Sequence, residues 1–181
     1  MKNVSFLLLL TLMGCASTVQ VTEKIEKNEK IINLVDSKKF EIKNEFVTPI
    51  AGNGMISDII APRDNATNLS LDRNDSHFKI VNDSVSVYLP FFGERRILTY
   101  GYSPSSHEGF IVYSGIPKKF KSYYDEATNE YRYDMRFRKN REAFRVRLTI
   151  YGDGSTRIFL SSTARSSLFY TGKVKPLEET S

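Results

Sequence analysis

The chain of 181 residues has one cysteine, Cys15, two histidines and no tryptophan. A single cysteine cannot form an internal disulfide, so the fold must be held by its core. The two histidines, His77 and His107, lie far apart with no spaced carboxylates around them. A metal centre needs three or four convergent ligands, so none is expected. Asp75-Ser76-His77 contains the letters of a catalytic triad, but neighbours on a strand face opposite ways, and Ser76 and His77 would not meet. Ser105-Ser106-His107-Glu108 reads as a solvated polar loop. No glycine-rich loop follows a strand and opens a helix, which removes the usual phosphate cradle. These absences predict no enzyme, no cofactor and no metal. Long apolar runs are missing too. Val4–Met13 is the most apolar stretch, and it falls short of the roughly 20 residues a membrane span requires.

That short run does have neighbours that give it meaning. Lys2 precedes it and Leu12-Met13-Gly14-Cys15 follows, the order of a secretory signal: basic start, apolar stretch, small residue before the cut. Leu12-Met13-Gly14-Cys15 resembles the lipobox of bacterial lipoproteins. The resemblance implies a signal peptide over 1–14 and a Cys15 carrying diacylglycerol on sulfur and an acyl chain, such as palmitate, on its amino group. Each buried methylene contributes about 0.8 kcal/mol, so two or three chains anchor firmly where one would not. Ala16-Ser17-Thr18 contains no acid. By resemblance to lipoprotein sorting, the expected place is the cell envelope, lipid-anchored on the periplasmic face of the outer membrane.

Removal of residues 1–14 costs only Lys2, so the net charge falls from +5 to +4. The charge is unevenly spread: residues 116–147 hold ten Lys or Arg against five Asp or Glu. Residues 15–38 are expected to form the lipidated end, a tether and a short helix over Glu23–Asp36, with Ile25, Ile32 and Val35 on one face. Residues 39–176 form a single β domain, and 177–181 a short tail.

From Lys39 the hydrophobic period becomes two. Lys39–Ile50 reads as a strand, 51–76 as loop with one helical turn at Met55–Ala61. His77–Val81 and Ser84–Tyr88 flank Asn82-Asp83, a two-residue loop that sets Phe78 against Val87 and Ile80 against Val85. Tyr131, Tyr133, Met135 and Phe137 alternate with Arg132, Asp134, Arg136 and Arg138. A turn at Asn140-Arg141 pairs Phe137 with Phe144, Met135 with Val146 and Tyr133 with Leu148, leaving one face dry and one wet. Gly152-Asp153-Gly154 marks the next turn, with Ile150 beside Ile158. A last turn at Ala164-Arg165 would set Leu160 beside Phe169 inside and Phe159 beside Tyr170 outside. Those strands are apolar on both faces, so the N-terminal helix or the 51–72 loop is expected to cover the second. About eight strands in an antiparallel meander predict an all-β barrel, with a two-sheet sandwich as the alternative.

Two segments resemble a known family. Asp83-Ser84-Val85 through Leu89-Pro90-Phe91-Phe92-Gly93 is one; Gly154, Ile158–Ser162, Arg165, Tyr170 and Gly172 are the other. Together they resemble the domain of unknown function 4251, a family of Bacteroidetes lipoproteins, over about Phe46–Val174. The resemblance implies a lipocalin-like β meander and supplies no known activity, substrate or catalytic residue. Physically, Pro90 ends a strand and Gly93 permits a positive φ. Phe91 and Phe92 are thrown to one side, as a core plug or as an aromatic rim around a pocket. Asn65-Ala66-Thr67, Asn68-Leu69-Ser70 and Asn82-Asp83-Ser84 match N-glycosylation sequons and mark loops. Asp83-Ser84-Val85 also resembles the O-glycosylation motif of Bacteroidetes periplasmic proteins.

Two function classes follow. One is a binding or scaffold module whose basic face, Arg132, Arg136, Arg138, Arg145 and Arg147, meets anionic lipid, glycan or an envelope protein. Export excludes nucleic acid. The other is a carrier of a small apolar ligand inside the barrel. The large inward residues favour the first.

Overall fold

The computed structural model describes residues 29–50, 68–72, 76–95 and 109–177. The signal segment, Cys15, Met55–Ala61 and the His107 loop lie outside them. A helix, α1, runs over residues 29–36. Ten strands follow: β1 (Lys39–Ile50), β2 (Leu69–Ser70), β3 (His77–Val81), β4 (Ser84–Pro90), β5 (Phe110–Gly115), β6 (Lys119–Asp125), β7 (Glu130–Lys139), β8 (Glu142–Tyr151), β9 (Ser155–Ser162) and β10 (Ser167–Pro176). They form one antiparallel sheet in the order β5-β4-β3-β1-β10-β9-β8-β7-β6, with β2 a stub on β1. One curled sheet, rather than two, settles barrel against sandwich.

The expected eight strands become ten because of β2 and a split. Neighbours in the sheet are antiparallel, so counting along its order gives β5 and β6 the same direction. Only residues 116–118 separate them. A link that short spans at most about 14 Å, so the curl must bring the sheet's two edges together there. In effect β5 and β6 are one strand, kinked at Gly115 (φ 138°) and Pro117, whose first half pairs with β4 and second half with β7. Counted so, and without the stub, the barrel wall has eight staves.

The hairpins fix the register. Asn82 and Asn140 take positive φ (56° and 55°) at the first position of their two-residue loops, a conformation asparagine tolerates. Phe78 then faces Val87 and Ile80 faces Val85; Phe137 faces Phe144, Met135 faces Val146 and Tyr133 faces Leu148, as the periodicity predicts. All these side chains are buried except as far as Phe144, at 5% exposure, reaches the end of the barrel.

Two registers differ from expectation, β8–β9 by two residues and β9–β10 by one. Ile158 sits opposite Leu148, and Ile150 opposite Thr156. At the last hairpin Leu160 pairs with Leu168, Ile158 with Tyr170 and Phe159 with Phe169. The loop there is odd in length, so Leu168 and Tyr170 point in while Phe159 and Phe169 share the outer face. Those two rings lie 5.1 Å apart under Arg147 and Arg157, whose guanidinium carbons are 5.6 and 5.8 Å from the ring centres. Arg147 and Arg157 thus cover part of the second face, where the helix does not, and residues 51–67 of the other expected cover lie outside the described residues. α1 instead closes one end of the barrel. Its inward face is Ile31, Leu34 and Val35, where Ile25, Ile32 and Val35 are expected and Ile25 lies outside the described residues; Val35 is in the core and Ile31 lies against the β8–β9 turn at Gly154. Asp36 accepts a hydrogen bond from the Tyr131 hydroxyl at 3.0 Å.

The two segments that carry the family resemblance meet in space. The Tyr170 hydroxyl donates to the Pro90 carbonyl at 2.8 Å. Burial pushes the Tyr170 phenol well above its usual range, so it remains a donor. Ser166 Oγ accepts from the Glu94 amide at 3.0 Å, and the Ser166 amide donates to the Glu94 carbonyl at 2.9 Å. Arg165 stacks over Phe91 at 4.9 Å and is held by Glu142 at 3.1 Å. Gly93 does not take a positive φ; it is glycine because a Cβ there would overlap Ser166 Oγ and sit 2.9 Å from the Phe91 ring. Phe91 and Phe92 are both half-buried and pack against the core.

Candidate anion-binding groove

The outer wall of β6–β9 is a lattice set by register. One row reads Lys119, Arg136, Arg145, Ser161; the next reads Lys121, Asp134, Arg147, Phe159. Three cations therefore stand on adjacent strands about 4.8 Å apart, an arrangement that repels. The expected pairing of Arg136 against Arg145 and of Asp134 against Arg147 is what the strands adopt.

The five predicted arginines divide into two groups. Arg132 is committed: its Nη2 lies 2.7 Å from Glu130 and 3.7 Å from Asp125. Arg147 leans over Phe159 with Nε 3.9 Å from Asp134. Arg136, Arg138 and Arg145 instead converge on an open groove of about 450 Å³ at the end of the β7–β8 hairpin. Lys118, from the kink between β5 and β6, forms part of its wall, and Phe137, Phe144 and Ala143 add apolar surface. Ser161, Ser162 and Thr163 complete the lining.

Charge in the groove is poorly neutralised. Arg136, Arg138 and Lys118 form no ion pair among the described residues, and Arg145 has only Asp134 at 3.8 Å. Glu142, on the same hairpin, is turned to the buried Arg165 and accepts from Ser162. Lys118 and the serine–threonine run were missed by sequence reasoning. Lys118 lies in the basic segment but before its strand; the hydroxyls enter only because the β8–β9 register sets Ser161 opposite Arg145 and Ser162 opposite Phe144.

His77 has a neighbour the triad letters did not suggest. Its Nε2 lies 3.0 Å from Ser86 Oγ, one strand away, and its ring stacks on Tyr88 at 5.9 Å. The contact is on the outer wall, away from the groove's lining. Among the described residues, no group of three or more His, Cys, Asp or Glu is placed to hold a metal, and no helix is long and apolar enough to cross a membrane.

The fold and groove define a curled all-β domain with a basic concave patch on its wall. The chain belongs to the family described as Domain of unknown function (DUF4251), which matches residues 22–174. That match begins before α1, so it takes in the helix that the motif resemblance left out. The fold is similar to the crystal structure of a DUF4251 family protein from Bacteroides eggerthii DSM 20697, with a TM-score of 0.53 and 13% identity over 83% of this chain and 87% of that one. No curated protein matches the chain.

Proposed function

We propose that the chain is a non-enzymatic binding module of the cell envelope, anchored through lipid on Cys15 at the periplasmic face of the outer membrane, which takes anionic groups in this groove. The observation that carries the reading is the convergence of Arg136, Arg138 and Lys118 on one concavity without an ion-pair partner among the described residues. The two guanidiniums can present paired donors to phosphate or carboxylate, and the Lys118 ammonium adds a third positive charge. Near an anionic membrane each Lys or Arg contributes about 1 kcal/mol, and a lipid tether keeps the domain at that surface. Lipid phosphate is the first ligand to test, with peptidoglycan carboxylates as a second arm. The carrier reading has less support, because the inward positions are filled by Phe40, Phe78, Tyr133, Met135, Phe137 and Tyr170.

The test uses the full chain with Cys15→Ser, so that no lipid confers binding. Cosedimentation is measured with phosphatidylcholine vesicles with and without phosphatidylglycerol, and with peptidoglycan sacculi. Expected is binding that needs the anionic component, weakens with salt and drops at least tenfold in Arg136→Glu/Arg145→Glu, about 1.4 kcal/mol or more. No salt-sensitive binding to either partner, or binding indifferent to the charge reversal, overturns the proposal.

A further inference from the structure

β6 stands apart from the rest of the wall. Its inward-alternating Ser122 and Tyr124 are as exposed as its outward Lys121 and Tyr123. One edge is bonded to β7; the other pairs with no strand among the described residues. Among the described residues, three of the five exposed large hydrophobics, Ile116, Tyr123 and Tyr124, cluster on this strand and the kink before it. A wet, unpaired, apolar edge is a template for another strand.

The residues of β6 are complementary to themselves. In an antiparallel pair, opposed residues must share hydrogen-bonding parity, so a strand meets its own copy only about a residue, never between two. Centred on Ser122, all seven residues of Lys119–Asp125 are matched. Lys119 then faces the copy's Asp125, Phe120 faces Tyr124, Lys121 faces Tyr123, and Ser122 faces itself. That gives two opposite-charge pairs, two aromatic pairs and two cation–aromatic pairs, the kinds that stabilise cross-strand contacts. Shifting the centre to Lys121 would oppose two lysines; shifting it to Tyr123 would leave Lys119 facing Ala127.

We infer that β6 is the contact of a two-fold symmetric homodimer, in which two copies of this chain pair antiparallel through Ser122. The interface is isologous and small, so the dimer belongs to the weak, reversible class. It does not depend on the groove binding anything.

The full chain with Cys15→Ser has no cysteine, which makes site-directed disulfides clean. Under mild oxidation Ser122→Cys is expected to form a covalent dimer at least tenfold more than Lys173→Cys, an exposed control on β10. Sedimentation velocity across concentration should show a reversible dimer. Lys119→Glu is expected to weaken it about tenfold, and Lys119→Glu/Asp125→Lys, which restores the pairing with the signs exchanged, to recover it. Equal cross-linking at both positions, or a chain monomeric at every concentration, overturns the inference and leaves the edge to a strand of another protein. Failure of the double exchange to recover the dimer overturns the register.

Discussion

If the row Lys119, Arg136, Arg145 serves binding rather than folding, thinning it should stabilise the domain. Arg136 is its middle member, opposite Lys119 on one side and Arg145 on the other, and it has no ion pair among the described residues. Arg136→Thr removes both like-charge contacts and puts a strand-favouring residue on the wall. Like charges across a ladder cost roughly 0.2–1 kcal/mol each, and some aliphatic packing of the arginine stem is lost. A net gain of about 0.5–1 kcal/mol follows, roughly 2–3 °C in melting temperature for a domain of this size. Arg147→Thr is the contrast. It forfeits the Asp134 contact at 3.9 Å and the stack on Phe159 at 5.6 Å, so it should lose roughly 0.5–1 kcal/mol. Urea denaturation of the full chain with Cys15→Ser, at low salt and again at 1 M, reads both. The Arg136→Thr gain should shrink at 1 M salt, where the screening length falls to about 3 Å. The reasoning fails if Arg136→Thr destabilises as much as Arg147→Thr, since Arg136 would then have a structural partner.

The remaining expectations concern the core, the closing strands and the anchor. Phe144→Ala or Leu148→Ala should cost about 2–5 kcal/mol, while the outward Thr149→Ala costs under about 0.5 kcal/mol; equal denaturation midpoints would reverse the faces. Gly172→Ala should cost about 3 kcal/mol or more, because its Cβ would overlap the Lys43 carbonyl and lie 2.8 Å from Asn44 Cα at the β1 bulge; a near-native melting curve would contradict the close approach. Tyr170→Phe leaves the Pro90 carbonyl without its donor and should lose about 1–3 kcal/mol, read by the same unfolding curve. Cys15→Ser should abolish incorporation of radiolabelled palmitate in cells, and label retained on the variant would refute lipidation at that residue.

Legibility in the sequence followed the strength of local constraint. The β3–β4 and β7–β8 hairpins were readable because an asparagine-led, two-residue loop and a one-sided hydrophobic face each dictate the same register. The β9–β10 hairpin was not. Leu160, Leu168, Phe159, Phe169 and Tyr170 are apolar on both faces, so hydrophobicity cannot say which side is in, and a one-step change in loop length exchanges them. The arginine row was legible for the same reason as its hairpin. Its division into committed and unneutralised members was not, since that depends on where Glu130, Asp125 and Glu142 turn, a matter of side-chain geometry rather than spacing. The kinked stave was hidden too: nothing local says that Gly115–Lys119 crosses between the two edges of one sheet.

The family motif and the groove answer to different demands. Leu89–Gly93 and Arg165–Gly172 bind each other: Tyr170 holds the Pro90 carbonyl, Ser166 holds both backbone groups of Glu94, and Arg165 is enclosed by Phe91 and Glu142. These contacts join the end of β4 to the last hairpin, two regions the sheet places three strands apart along β4-β3-β1-β10. They are therefore a brace across the barrel's mouth, and the motif residues named in it are spent on closure. None of them lines the groove. Sharing the motif thus implies sharing the braced barrel, while the groove is built from the β7–β8 hairpin, the end of β9 and the kink at Lys118, outside the Leu-Pro-Phe-Phe-Gly run. A chain could keep every contact of the brace and exchange Arg136, Arg138 and Lys118 for other residues without disturbing the fold. The groove and the family segments thus share Ser161 and Ser162 at the end of β9, while the cations of the proposed site lie outside both segments.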